Sequence, residues 1–345
     1  MEIYKTNSKI VENFPLVSVI ITAFNEETMI SDCLKAILSQ TYSNFEIIYI
    51  DAKSTDKTIE KANEIKSKQG AFSNCKRFVV MSKDAKSPAI GRNLGVKIAN
   101  GQIIAFTDAD CIVDKDWLVY LILNFKKDVG AVGGPNILRH FKESKIINVL
   151  DEVLGSYLGS SGAPQFLKIK KTKQVYGIPA CNMAISKKLF DELNGFDEKL
   201  RYNEDTDLCY RITVKGYKII YVPNAKIEHY MGIDSLTEFN KIIYKYGLER
   251  GKNIKKNTRL FTKFHAVSIV IISIIASTSI LTIWNDAIII IPIIIIISGL
   301  VVVGVNSLFI GLRTKSIEYG FLSFFFLIGE YCIYNVGFMR GLISR

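Results

Sequence analysis

The chain has 345 residues, 49% of them hydrophobic and 22% charged, with 44 Lys and Arg against 33 Asp and Glu for a formal charge of +11. That length suits one large domain plus a further part, and the averages are those of a globular protein. The cysteines (Cys33, Cys75, Cys111, Cys181, Cys209, Cys332) contain no CxxC pair, so their spacing signals neither a zinc site nor a disulfide framework.

An N-terminal extension, residues 1–14, carries Glu2, Lys5, Lys9 and Glu12 before any apolar run. It does not read as a signal peptide, so the part that follows is expected in the cytoplasm. Leu16–Ala23 is a short, continuous, β-branched run, the pattern of a strand buried on both faces. After Asn25-Glu26-Glu27, the residues Ile30, Cys33, Leu34, Ile37 and Leu38 recur at helical spacing. Strand Phe45–Ile50 ends in Asp51, and helix Thr58–Lys68 leads to strand Arg77–Met81. Helix Ala89–Ala99 and strand Gln102–Thr107 complete a β-α-β-α-β-α-β alternation, which predicts an α/β domain with a largely parallel sheet. Ligands bind beyond the carboxyl ends of such strands, where Asn25, Glu26, Asp51, Asp108 and Asp110 fall. No GxGxxG follows the first strand and no GxxxxGK[ST] occurs, which disfavours a dehydrogenase and a P-loop NTPase.

Asp108-Ala109-Asp110 directly follows the fourth strand. Two carboxylates with one residue between them can reach a hard divalent ion, Mg²⁺ or Mn²⁺, that is shared with phosphate oxygens. Such an ion neutralises charge developing on a diphosphate leaving group. Asp is also common in turns, so the triplet gains its weight from its place at the strand end.

The segments VSVIITAFNEE, YIDAKSTDKT, AIGRNLGVKIANGQIIAFTDADC and NEDTDLCYRI, in this order between Pro15 and His229, resemble the nucleotide-diphospho-sugar transferase (GT-A) fold of family 2 glycosyltransferases. The resemblance implies that Ala23, Asn25 and Glu26 edge the nucleotide, with Asp51 beside the base. It implies that Arg92 approaches the diphosphate, that Asp108 lies near the ribose, and that Asp110 binds the metal. Asp205 would be the general base, with Glu204 assisting in orientation. Capping of the next helix is the competing reading for Asn25, Glu26 and Ser54, and a surface ion pair for Arg92. Ala52 stands where many members carry a second Asp that contacts uracil, so a uridine or a guanosine nucleotide is expected as donor.

Between Val129 and Tyr176 the pattern loosens, with Gly133-Gly134-Pro135 and a crowd of lysines at 168, 170, 171 and 173, as in a loop bordering an acceptor. Gly177–Ala184 resembles the family's acceptor-side strand, with Asn182 a candidate sugar contact. Helix Thr206–Lys215 is closed by Gly216 at a position suited to a left-handed cap. Asp205 therefore sits at a helix N-terminus, whose dipole favours the ionised form that a base requires, although a plain helix cap would look the same. His229 reads either as a metal or diphosphate contact or as a packed strand-end histidine. In-line attack with one base predicts inversion at the anomeric carbon. The QxxRW-type motif of processive synthases is missing after the base, which favours transfer of a single sugar.

The expected catalytic domain, residues 15–238, is followed by a basic segment, 239–265, where Lys241, Lys245, Arg250, Lys252, Lys255, Lys256, Arg259 and Lys263 face only Glu249. Beyond it the chain is almost wholly apolar, and 266–345 predicts three transmembrane helices at about 266–283, 287–312 and 317–339. Pro292 is expected to kink the second, and Glu330 is costly in the third unless paired. A basic segment before a span suits anionic membrane lipids rather than nucleic acid, and the positive loops place the catalytic part in the cytoplasm of a multi-pass cell-membrane protein. The expected function is metal-assisted transfer from a nucleotide sugar to a lipid-linked or membrane-proximal glycan. A polyprenyl-phosphate sugar synthase and a non-catalytic sugar-nucleotide-binding scaffold are the alternatives.

Overall fold

The structure is a computed structural model that describes residues 14–68, 74–200, 202–256, 258, 263–282 and 286–344. Most of the N-terminal extension and the Trp284-Asn285 break lie outside them. The chain folds as two compact units: residues up to Arg139 with Ile169–Met231, and His140–Lys168 with Gly232 onward.

In the first unit the predicted alternation is present as β1 (Val17–Ala23), α1 (Ile30–Leu38), β2 (Phe45–Asp51), α2 (Thr58–Ser67), β3 (Phe78–Ser82), α3 (Pro88–Lys97) and β4 (Ile103–Asp108). There follow β5 (Cys111–Val113), α4 (Trp117–Ile122), β6 (Val129–Gly133) and β7 (Asn136–Leu138). An eight-stranded sheet runs β3-β2-β1-β4-β9-β6-β10-β8, where β8 is Lys173–Val175, β9 Met183–Ser186 and β10 Lys218–Tyr221. Within it β3, β2, β1 and β4 are mutually parallel, and β9 pairs antiparallel with both β4 and β6. Val17, Val19, Ile20 and Ile21 are fully buried in β1, each stabilising the fold by about 1.5–3 kcal/mol.

Gly91 and Gly95, one turn apart on α3, let that helix lie on β1. A Cβ at Gly95 would stand 2.5 Å from Ile20 Cγ2, and one at Gly91 2.8 Å from Thr22 Cγ2. A buried carboxylate closes the opposite end of the strands: Glu46 accepts from Ser18 Oγ, from the Asn100 amide at 2.6 Å and from Arg77 Nη1 at 2.9 Å. A second sheet, β5-β11-β7 with β11 at Ile227–His229, sets His229 opposite Cys111. The first unit is completed by α6 (Lys187–Glu192) and α7 (Glu204–Val214), and Gly216 follows α7 at φ +89° as expected.

In the second unit, part of the segment expected as a loose acceptor loop is instead an amphipathic helix, α5 (Lys145–Leu154), capped by Ser144. Its Val153 is buried with Ile310 and Leu327. The basic segment is largely helical, α8 (Leu236–Lys256), and is followed by α9 (Lys263–Leu281), α10 (Ile290–Thr314) and α11 (Ile317–Ile343). Ala287–Thr314 and Ile317–Ile343 are long and apolar enough to cross a membrane. Ile290, Ile293, Ile294, Ile297 and Val301 of α10 are exposed along one face, an apolar stripe suited to lipid. The first predicted span falls on α9, several of whose side chains lie outside the described residues. Pro292 lies in the first turn of α10, which the 3₁₀ turn Asp286–Ile289 runs into directly. Arg313 bonds the carboxylate and carbonyl of Glu152, and Lys145 pairs with Glu318 at 2.9 Å. Glu330 is buried with Oε2 unpartnered.

Candidate active site

Register brings the predicted residues to one edge. Ala23 pairs with Asp51 and Thr22 with Asp108, so β1, β2 and β4 end at one level. Just beyond, two loops are stapled together by side chains. Asn25, at φ 57°, accepts from the Thr55 amide at 2.9 Å through Oδ1, while its own amide donates to Ser54 Oγ at 3.0 Å. The Glu26 amide donates to Thr58 Oγ1 at 2.8 Å. Asn25 thus serves the loop with its side chain. Glu26 keeps its carboxyl for the strand edge.

Asp51 is 1% exposed and accepts from Ser82 Oγ at 2.9 Å and the Ser54 amide at 3.2 Å, while Oδ1 has no partner. It lies beneath the loop rather than open beside a base. Ala23 is likewise buried at the strand end.

Arg92 corrects the sequence expectation most plainly. Its side chain is 4% exposed, with Nη2 2.6 Å from Asp108 Oδ1 and Nη1 2.7 Å from Glu204 Oε1. The guanidinium also lies over Phe196, 5.6 Å from the ring centroid. A cation enclosed by two carboxylates is committed to them and is not free for a diphosphate. Burial alone would lower the Arg92 pKa, and the charges of Asp108 and Glu204 reverse this and raise it. Burial and the neighbouring Asp205 push the Glu204 carboxyl up, against the pull of Arg92. Arg92 therefore joins the DxD turn to the start of α7.

Asp205 stands in the first turn of α7, after Asn203 at φ 67°. Its Oδ1 accepts from the Thr206 amide at 2.6 Å, and its Oδ2 lies 3.4 Å from the Ala180 amide. Asp205 as a residue is half-buried. Asn182 is a second correction. It is fully buried, accepts from Trp117 Nε1 at 2.8 Å, and donates to the carbonyls of Ala225 at 2.9 Å and Pro135 at 3.1 Å. With its hydrogen-bonding groups used inside the fold, it has none to offer a sugar. Gly133 and Gly134, which read as loose chain, are close-packed: a Cβ would stand 2.2 Å from the Asn182 carbonyl oxygen and 2.1 Å from that of Ala225.

His229 does reach the DxD turn. Its Nε2 lies 3.4 Å from Asp110 Oδ2, and the Tyr230 amide donates to the Asp110 carbonyl at 3.1 Å. Burial would lower the imidazole, but Cys181 and Asp110 hold it well above its ordinary value. Asp110 is correspondingly held low: burial opposes this and His229 overrides it. Glu26 is pushed up to about 7 by burial, then by Asp110, Asp108 and Asp56. An edge this rich in carboxylate oxygen fits a hard divalent ion at Asp110 with Asp108 near. The sequence missed Cys111 and Cys181, which the fold sets beside His229, Cys181 Sγ lying 4.0 Å from Nδ1.

A parallel-edge carboxylate turn, a second carboxylate pair at a helix start and the mixed sheet joining them define a nucleotide-sugar transferase fold of the GT-A type. Residues 18–193 match Glycosyl transferase family 2, to which the chain belongs, and residues 165–235 match the family described as N-terminal domain of galactosyltransferase. Over 222 residues the chain is 31% identical to the probable glycosyltransferase YdaM of Bacillus subtilis, covering 62% of this chain and 50% of that protein. It is 26% identical over 250 residues to the dolichyl N-acetyl-alpha-D-glucosaminyl phosphate 3-beta-D-2,3-diacetamido-2,3-dideoxy-beta-D-glucuronosyltransferase of Methanococcus voltae, covering 70% of this chain and 74% of that one. The mannosyltransferase PcManGT of Pyrobaculum calidifontis, solved with GDP-Man and Mn²⁺, shares the fold at TM-score 0.57 and 17% identity over 94% of this chain and 88% of its own.

Proposed function

We propose that this glycosyltransferase moves a single sugar from a uridine or guanosine diphosphate sugar to a lipid-linked or membrane-proximal glycan, inverting the anomeric centre. The observation that carries the reading is the Arg92 bridge, with Nη2 2.6 Å from Asp108 and Nη1 2.7 Å from Glu204 beside Asp205. It ties the Asp108-Ala109-Asp110 turn to the helix start that carries Asp205, which supports a metal and a base acting from one frame. Asp110, with Asp108 and His229 near, would hold Mg²⁺ or Mn²⁺, which when bound neutralises charge on the departing diphosphate. Asp205 takes the proton from the attacking acceptor hydroxyl, favoured as an anion by its place at the N-terminus of α7. Glu204 holds Arg92 in place. Glu26 lines the donor side of the edge.

The relative from Methanococcus voltae, named for transfer to a dolichyl-phosphate sugar, supports a lipid-linked acceptor, and PcManGT supports a nucleotide sugar and a divalent ion. The two apolar helices of the second unit support a multi-pass protein of the cell membrane with its catalytic unit in the cytoplasm. The test is release of nucleoside diphosphate from a panel of nucleotide sugars by the detergent-solubilised protein with membrane lipid extract and Mn²⁺ or Mg²⁺. Release that needs metal and lipid extract and is lost in Asp110→Ala and Asp205→Ala supports the reading, and NMR of the product reads the anomeric outcome. Failure to bind any nucleotide sugar would sink it.

A further inference from the structure

Cys111 on β5, Cys181 in the turn Ala180–Asn182 and His229 on β11 come from three elements, and their ligand atoms all lie within 4.8 Å of one another. We propose that this cluster is a second metal site, one that takes a soft or borderline divalent ion of the zinc type. It does not depend on the reaction proposed above.

The donor set carries the chemistry. Two thiolates and an imidazole prefer Zn²⁺, Co²⁺ or Cd²⁺, whereas Mg²⁺ prefers oxygen ligands. Tetrahedral zinc bonds of ~2.3 Å to sulfur and ~2.0–2.1 Å to nitrogen set donors about 3.5–3.8 Å apart. The cluster closes on an ion by small side-chain adjustments, with Cys181 Sγ already 4.0 Å from His229 Nδ1.

The surroundings are those of a supported site. Asn136 Nδ2 lies 3.1 Å from Cys181 Sγ and is placed to donate to its thiolate. Both cysteines are buried. The Asp110 carboxylate lies 3.4 Å from His229 Nε2, on the far side of the ring from Cys181. With Nδ1 on the ion, Nε2 keeps its proton and donates to Asp110, the arrangement by which carboxylates orient metal-binding histidines. The fourth position falls to water, since the Asp110 carboxylate is taken by Nε2. Binding releases the thiol protons and the Nδ1 proton of the imidazolium to solvent, and no oxidant or reductant is involved.

One histidine then serves two metals of different hardness. Its Nδ1 binds the soft ion, while its Nε2–H fixes the carboxylate that faces the hard one.

The full-length, detergent-solubilised protein, stripped of metal and kept reduced without oxygen, would be titrated with Co²⁺. The expected result is one ion per chain with a thiolate-to-cobalt charge-transfer band and the visible bands of tetrahedral cobalt, displaced by Zn²⁺ and untouched by Mg²⁺. Cys111→Ser and Cys181→Ser should each weaken binding at least tenfold, and Cys332→Ser, at an exposed cysteine, should leave it unchanged. Since a core substitution can unfold the chain, X-ray absorption of the zinc-loaded wild-type protein gives an independent reading. Two sulfurs in the first shell support the site. A shell of oxygen and nitrogen alone, or a charge-transfer band that survives the double Cys111→Ser, Cys181→Ser variant, overturns it.

Discussion

The two units of this molecule solve close packing by opposite means. In the first, specificity comes from side chains that register and turns bring together: Arg92 between Asp108 and Glu204, or Glu46 among Ser18, Asn100 and Arg77. In the second it comes from side chains that are missing. Gly247 and Gly251 of α8 face Gly337 and Gly341 of α11, and a Cβ at any of the four would stand 2.1–2.3 Å from a carbonyl oxygen of the other helix. Small residues four apart let two helix backbones approach closely, because no Cβ stands between them. Changes in the first unit should therefore leave charges unpaired. Changes in the second should force atoms apart.

The largest effect is expected from Asp110→Ala, with turnover down by at least about a thousandfold if a metal supplies several kcal/mol of transition-state stabilisation. Its circular dichroism should match the parent. Next, Asp205→Asn should lower kcat by roughly 10²–10⁴-fold with donor KM little changed, because a base acts in the transition state alone. A parallel rise in KM would instead mark Asp205 as a binding residue. Arg92→Met should lose about 3–5 kcal/mol in denaturant unfolding, since two carboxylates are left unpaired. Adding Glu204→Gln should recover part of that loss, and no recovery would break the bridge.

For the second unit, Gly341→Ala should cost about 1–3 kcal/mol by overpacking α8 against α11. Gly329→Ala, where no atom lies within 4 Å, is the matched control and should be nearly neutral. Equal melting temperatures for the two would remove the glycine-contact reading. Glu46→Gln should cost a comparable amount, about 1–3 kcal/mol near neutral pH, for a buried charged hydrogen-bonding group. Burial alone would raise the Glu46 pKa, but bonds from Ser18, Asn100 and Arg77 outweigh it and leave it low. A carboxyl lower in the folded than in the unfolded state stabilises above its unfolded value and loses that contribution as pH falls through the folded one. The stability gap between Glu46→Gln and its parent should therefore close in acid, and a gap constant with pH would exclude the carboxylate as its source.

The sequence made the β1 to β4 alternation and the DxD turn legible because each is a continuous run with a physical period. The places of Asp110 and Glu26 at strand ends and of Asp205 at a helix start followed, since such positions can be read locally. Arg92 and Asn182 were misplaced for a shared reason. Their partners, Glu204, Trp117 and Ala225, are distant in sequence, and burial is decided by such partners. The Cys111, Cys181 and His229 cluster left no spacing signal because three separate elements supply it. The paired glycines of α8 and α11 are visible as GxxxG in both segments, but only the structure shows that they face each other.

The Arg92 bridge also acts as a ruler. Because one rigid guanidinium spans Asp108 and Glu204, the gap between the Asp108-Ala109-Asp110 turn and the start of α7 is set by the length of that group. The surface around α7 can then vary in sequence without moving the Asp108-Ala109-Asp110 turn. A lysine, with a single charged head, would hold either end but could not measure the distance between them.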